Sequence, residues 1–476
     1  MRGEKIHCAS SALAVAFLLW PNATAAQIFQ PGSQPMGEDG GVVTPIQTSE
    51  TCTRCHALYD DADDYEPWDG WRGTMMGNAG RDPIFLAALA IAEEDNADAA
   101  DFCVRCHSMP AWLRGRSSLP EWSEADGPRF LPDDDGFPSD DYDGVACQVC
   151  HRATDDVADD PMAPYQQNAQ IYFYDGTEGT VRAGPYDYLP GGEPTHPAIQ
   201  SDFLPTGGFC GQCHDIVNPV VDGQRADGTP TGRSFAIERT FSEWRHSAFG
   251  TRGETCQDCH MPLMEMPVRA ANEGMDRDYM RRHDLVGSSS WVLRALAATV
   301  PDSDGDWAEA LMRSADKAEA FLTEAAELTV SDVALEEETA SATVRVTNLT
   351  GHKLPTGYPE GRRMWLEVAI VDDTGEAVRG SGLYDETTGE LTHDDQLRTY
   401  EVELGEAGVP SFHFILNDTV LVDNRIPPEG FDPPEELDMT PVGRDYGDGA
   451  GGYHHWDEAT FDIQACGEGE LTLRIR

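Results

Sequence analysis

Ten of the twelve cysteines in this 476-residue chain fall into five identical frames, and no other feature constrains its folding as tightly. The frames are Cys52-Thr53-Arg54-Cys55-His56, Cys103-Val104-Arg105-Cys106-His107, Cys147-Gln148-Val149-Cys150-His151, Cys210-Gly211-Gln212-Cys213-His214 and Cys256-Gln257-Asp258-Cys259-His260. Two thiols spaced this way lie on one helical turn and can add across the two vinyl groups of a haem. The imidazole that follows then sits beneath the iron. A redox dithiol or a zinc ribbon would not need histidine after every pair. The cofactor expected is therefore haem c, five copies, each tethered covalently. The proximal iron ligands are His56, His107, His151, His214 and His260.

The frames begin at residues 52, 103, 147, 210 and 256. Segments this short cannot wrap a separate pocket round each haem, so the haems are expected to pack on one another and form much of their own core.

The chain carries 85 acidic against 33 basic residues, a formal charge of −52, and its only lysines are Lys5, Lys317 and Lys353. Such a charge repels phosphates and anionic membrane faces, which excludes nucleic acid as a partner and favours basic redox proteins. Membrane-anchored, quinol-linked cytochromes are among the partners expected. Residues 1–26 read as an export signal. Arg2 and Lys5 precede an apolar run over 9–20, and Ala23-Thr24-Ala25 supplies a cleavage site ending at Ala25 or Ala26. A periplasmic or extracellular protein with no membrane span in its mature chain is expected.

Residues 27–300 are rich in Pro, Gly, Asp and Trp and predict loops and short helices, the clearest over 84–94 with Asp82 as N-cap and Pro83 in the first turn. The acidic stretches 133–143 and 157–192 read as surface loops. Apolar residues at helical spacing over 306–328 predict a connector helix, assigned to 301–328. Beyond it the period becomes two, at 342–346, 364–371, 399–404, 412–416 and 471–475, which predicts an antiparallel β-sandwich-like domain over 329–476. The fold class expected is thus α+β and multidomain. Asp302-Ser303-Asp304-Gly305-Asp306 alternates carboxylates but lacks the register of a calcium loop, so a turn and helix cap is the better reading and calcium is set aside. Cys466 receives no role.

Several phrases resemble multihaem c-type cytochromes, in particular exported ones that join a haem domain to a C-terminal β domain. They are Trp71-Arg72-Gly73-Thr74-Met75-Met76, Arg81-Asp82-Pro83, Gly144-Val145-Ala146, the stretch 256–262 ending His-Met-Pro, Thr350-Gly351-His352-Lys353-Leu354-Pro355-Thr356-Gly357 and Asp423-Asn424-Arg425-Ile426-Pro427-Pro428. The resemblance implies respiratory electron transfer. Pentahaem nitrite reductases are similar in length and haem number, but their C-x-x-C-K frame is missing here and the chain ends in strands rather than long helices.

Electron-transfer haems carry two protein ligands, whereas a catalytic haem keeps one face open. Beyond His7 and the proximal set, eight histidines remain. The expected distal ligands are His196, His246, His283 and His352, with Met76 as the fifth and Met75 its rival. Each also admits an ordinary structural role. His413 reads as a packing or hydrogen-bonding residue, His454 and His455 as an exposed turn, and His393 is held in reserve. Fully closed, low-spin irons follow from that set. Two other functions remain open: a multihaem oxidoreductase acting on a small nitrogen or sulfur compound at one open haem, and a subunit of a polymeric cytochrome filament.

Overall fold

The described residues of the computed structural model are 46–59, 65–97, 99–113, 142–155, 167–174, 181–187, 196–265, 267–301, 305–465 and 472–476. The export signal, Cys466, the carboxylates of 302–304 and most of the two acidic stretches lie outside them.

Four of the five frames close a short helix at its C-terminal end, in Glu50–His56, Ala99–His107, Cys147–His151 and Cys256–His260. The fourth departs: its helix Gly207–Gly211 stops before Cys213 and His214, which run on as a turn. The helix expected over 84–94 spans Pro83–Asp95, with the Asp82 carboxylate accepting from the Ile84 N–H at 2.8 Å.

The connector helix spans Gly305–Leu322 and buries Trp307, Leu311 and Ala315 against the helix Ser290–Ala297. It ends six residues short of the expected 328. From Ala326 the chain is already a strand, Ala326–Glu336, paired with Thr339–Asn348 so that Leu328 opposes Val346 and Val330 opposes Val344. Cross-strand pairing of β-branched residues there overrides the continuing helical spacing of Leu322 and Ala325.

The C-terminal part is built from several small, mostly antiparallel sheets. Thr339–Asn348 lies between Ala326–Glu336 and Trp456–Gln464, while Val368–Val371 lies between Ala377–Ser381 and Thr472–Ile475. Their inward side chains, among them Val344, Val346, Val368, Ile370, Phe461 and Ile463, meet in one buried cluster. The strand expected over 412–416 is instead a tight turn, Phe414–Leu416, which pushes Ile415 between Ala92 and Ala99 of the haem-bearing part. A second departure is a long hairpin, Ile216–Gln224 and Pro230–Glu238, hidden in the sequence by Pro219 and Gly223. Thr419–Asp423 pairs with it in parallel through Thr419 and Gln224, so one five-stranded sheet crosses the expected boundary near 300. Among the described residues no helix is long and apolar enough to cross a membrane.

Candidate haem centres

None of the ten frame cysteines is paired in a disulfide, and among the described residues no three His, Cys, Asp or Glu side chains gather as a bare metal site would require. Three frame histidines instead face a second imidazole across a gap. His56 faces His196 with ring centres 6.4 Å apart, His151 faces His283 at 6.2 Å and His260 faces His352 at 6.4 Å, with ring planes inclined by 31°, 27° and 27°. A metal–imidazole bond of about 2 Å, plus about 1 Å from nitrogen to ring centre, repeated on both sides of one iron, gives about 6 Å. These gaps therefore fit one iron each.

The ring nitrogen away from the gap is also held. His56 Nδ1 lies 2.6 Å from the Ala270 carbonyl, His151 Nδ1 2.7 Å from that of Ala183, and His260 Nδ1 2.5 Å from that of Val286. An acceptor on Nδ1 keeps the proton there and leaves Nε2 free to bind metal. Burial pushes His107, His283 and His352 down to about 4, so they are neutral at pH 7, as ligation requires. His107 is stacked on Phe85 with ring centres 3.9 Å apart and planes within 2°. His214 differs from the others, because its Nδ1 donates to a carboxylate, Glu238 Oε1, at 3.3 Å. Burial opposes protonation there, but the Glu238 charge and hydrogen bond raise the imidazole to about 9.

Thiols of different frames touch. Cys52 lies close beside Cys147, Cys106 beside Cys213, and Cys210 beside Cys256. Cys150 lies within electrostatic reach of Cys210 and Cys213. The fourth frame is thus the junction at which the second, third and fifth meet.

An internal repeat organises the cluster. Trp71-Arg72-Gly73-Thr74-Met75-Met76-Gly77 precedes the third frame in space, and Trp244-Arg245-His246-Ser247-Ala248-Phe249-Gly250 precedes the fifth. In each copy the hydroxyl, Thr74 or Ser247, donates to the tryptophan carbonyl at 2.8 or 2.7 Å. The indole donates to the carbonyl two residues before the frame, Val145 or Glu254, at 2.8 Å in both. That same residue's N–H returns to the carbonyl of Met76 or Phe249, at 2.8 or 3.1 Å. The touching thiol pairs Cys52–Cys147 and Cys210–Cys256 occupy equivalent places. The first and third frames therefore form one module, the fourth and fifth a second, and the second frame is an insert within the first.

The repeat also explains two of the expected ligands. His246 occupies the place of Gly73, where a Cβ would meet the Ala310 carbonyl of the connector helix at 2.3 Å. His246 is half-buried, and its carbonyl accepts from the Asp432 N–H at 2.9 Å. Among the described residues its ring faces no frame imidazole, in contrast to what was expected of it. Met75 packs with Trp307 and Leu311, which removes it as Met76's rival. His413 Nδ1 pairs with Asp95 at 2.8 Å, His454 stacks on Trp456, and His393 is exposed.

His352 reaches its place on a loop pinned by a buried ion cluster. Lys353 Nζ lies 2.6 Å from Asp423, Asp423 also takes Arg425 Nε at 2.8 Å, and Arg425 Nη1 lies 3.0 Å from Glu243, next to Trp244. Glu243 in turn accepts from the Lys353 N–H at 3.1 Å and the Thr356 hydroxyl at 2.7 Å. Gly351 allows close approach, since a Cβ there would lie 3.1 Å from Trp244 and 3.2 Å from Phe249. Burial works against the Asp423 charge, yet Arg425 and Lys353 hold its carboxyl well below the usual range. A carboxylate depressed in this way stabilises the fold above its unfolded value of about 3.9 and loses that contribution as pH falls further. The melting temperature should therefore drop on acidification below about pH 4, and circular dichroism melts across pH 2–6 check this.

No family model matches the chain, and no curated protein matches it. Among solved structures it is similar to the crystal structure of a penta-heme cytochrome c552 from Thermochromatium tepidum, at 18% identity over 88% of each chain with a TM-score of 0.48.

Proposed function

We propose that the chain is an exported five-haem cytochrome c that conducts electrons between redox partners, using the ten frame cysteines as tethers and the five frame histidines as proximal ligands. The observation that carries this reading is the set of three facing imidazole pairs, each separated by the span of one iron. Haem, once tethered, supplies reversible one-electron chemistry. The chain's own residues keep His107, His283 and His352 neutral by burial, orient His56, His151 and His260 through carbonyls on Nδ1, and bring the frames close together, so that no frame stands apart from the others. The thiol contacts favour the order first, third, fourth and fifth, with the second joining at the fourth.

His196, His283 and His352 serve as distal ligands in this reading. Met76 serves the iron of His107, because its segment continues into the turn Ala79–Arg81, where a Cβ on Gly80 would lie 3.3 Å from the His107 carbonyl. The copy of the repeat that encloses an extra frame carries methionine at this position, and the copy that encloses none carries Phe249. With a net charge of −52, a basic partner docks best, and the association should weaken as salt is raised.

Intact mass of the matured protein should exceed that of the processed chain by five haems, and all five should survive acidified acetone because thioether bonds are covalent. A count of four or fewer in a host competent for haem attachment overturns the assignment. Met76→Ala should raise the fraction of high-spin iron by one haem, measured by electron paramagnetic resonance, with the haem count unchanged.

A further inference from the structure

The fourth frame departs from its counterpart in the other module. In the first module, His56 has a backbone carbonyl on Nδ1 and the His196 imidazole across the gap. Its counterpart in the second module, His214, has the Glu238 carboxylate on Nδ1, and no imidazole of the described residues faces it. Every histidine except His7 is described, and none of the others faces His214: His196, His283 and His352 lie across from other frames, His413 pairs with Asp95, His454 lies against Trp456, His393 is exposed, and His246 and His455 face no frame imidazole among the described residues. The frame's helix also stops early, so that His214 sits on a turn with half its side chain exposed, while Glu238 is held nearly buried on the strand Pro230–Glu238.

A carboxylate on Nδ1 draws the ring proton toward itself and makes Nε2 a stronger donor than a carbonyl would. A stronger donor stabilises ferric iron and suits an iron that binds an outside molecule on its other face. On the reading that haems are tethered at the five frames, we propose that the iron held by Cys210, Cys213 and His214 is the one that takes an exogenous ligand. Glu238 acts as the positioning residue that strengthens its proximal imidazole. The ligand class is small and uncharged on entry, because a chain of charge −52 repels anions from its surface. The fourth frame is also the junction of the cluster, so a ligand there would sit where electrons from the second, third and fifth frames converge.

Cyanide, which enters at neutral pH as hydrogen cyanide, is the probe. The full five-haem protein should show one high-spin ferric haem by electron paramagnetic resonance, and one equivalent of cyanide should convert it to low spin while the others stay unchanged. In Glu238→Gln the same haem should still bind cyanide, but its midpoint potential should rise and its ferrous iron–histidine stretch should fall in frequency. Glu238→Asp should restore both in part. A protein with all five haems attached, wholly low-spin and indifferent to cyanide, would overturn the proposal while leaving the five-haem reading intact. So would a Glu238→Gln variant with an unmoved potential and stretch. Fewer than five haems in the parent protein would overturn the tethering itself.

Discussion

Replacing His352 with alanine should uncover one further iron, adding a single high-spin ferric signal to the spectrum, with all five haems still attached through their cysteines. The expectation rests on the 6.4 Å separation of the His352 and His260 rings and on the loop that carries His352 from the C-terminal part across to the fifth frame. His260 keeps its own place through the Val286 carbonyl, so the change should affect one ligand and not the tether. Removing a metal–imidazole bond also loosens the contact between the two parts, since metal binding and folding are coupled. The altered haem should shift upward in potential, because it loses a strong imidazole donor. Spectropotentiometry together with electron paramagnetic resonance checks both effects. A folded His352→Ala protein with unchanged spectra would reduce His352 to a turn residue.

The second large effect is expected from Asp423→Asn. Asp423 is the carboxylate that pairs with Lys353 among the described residues, and it shares Arg425 with Glu243, all within a buried cluster. Losing one member of a buried pair leaves an uncompensated charge and costs about 3–5 kcal/mol. The melting temperature of the protein should fall accordingly, read by far-ultraviolet circular dichroism. Because Lys353 follows His352 directly, the same variant should also reproduce part of the high-spin signal. Adding Lys353→Met to Asp423→Asn should recover a share of the lost stability, since it removes the stranded cation. A double variant no more stable than the single one would show that the cluster acts through packing rather than charge.

The cysteine frames and the facing histidines were legible in the sequence for different reasons. A frame is a local pattern whose chemistry requires its spacing, so it can be read without the fold. His196, His283 and His352 could be placed only by counting supply against demand. Their partners are 140, 132 and 92 positions away, and no local rule fixes which iron each one meets. His246 shows where counting fails, because its neighbourhood near the fifth frame suggested a ligand while its ring faces no frame imidazole among the described residues. The repeated Trp-Arg-x-Ser/Thr-x-x-Gly phrase was visible as well, and aligning residues 71–77 with 244–250 would have set His246 against Gly73. Glu238 carried no such signal. It closes one strand of a hairpin whose other strand carries Pro219 and Gly223, and its value lies in a contact 24 residues back along the chain. The strand expected over 412–416 failed for a related reason: alternating apolar residues were spent on plugging a neighbouring helix rather than on a ladder.

The tryptophan clip closes over very different lengths of chain, 74 residues from Trp71 to Val145 and 10 from Trp244 to Glu254, with the same hydrogen bonds at the mouth. Loop-closure entropy grows only with the logarithm of length, so the longer loop costs little more to close than the shorter one. The mouth therefore works as a socket. Gly77 and Gly144 lie in hydrogen-bond contact there, just as Gly250 and Gly253 do, whatever the chain does in between. A segment bearing one more cofactor can be spliced in at that point, or cut out, without moving either jaw, and an odd number of haems can arise from paired modules in that way.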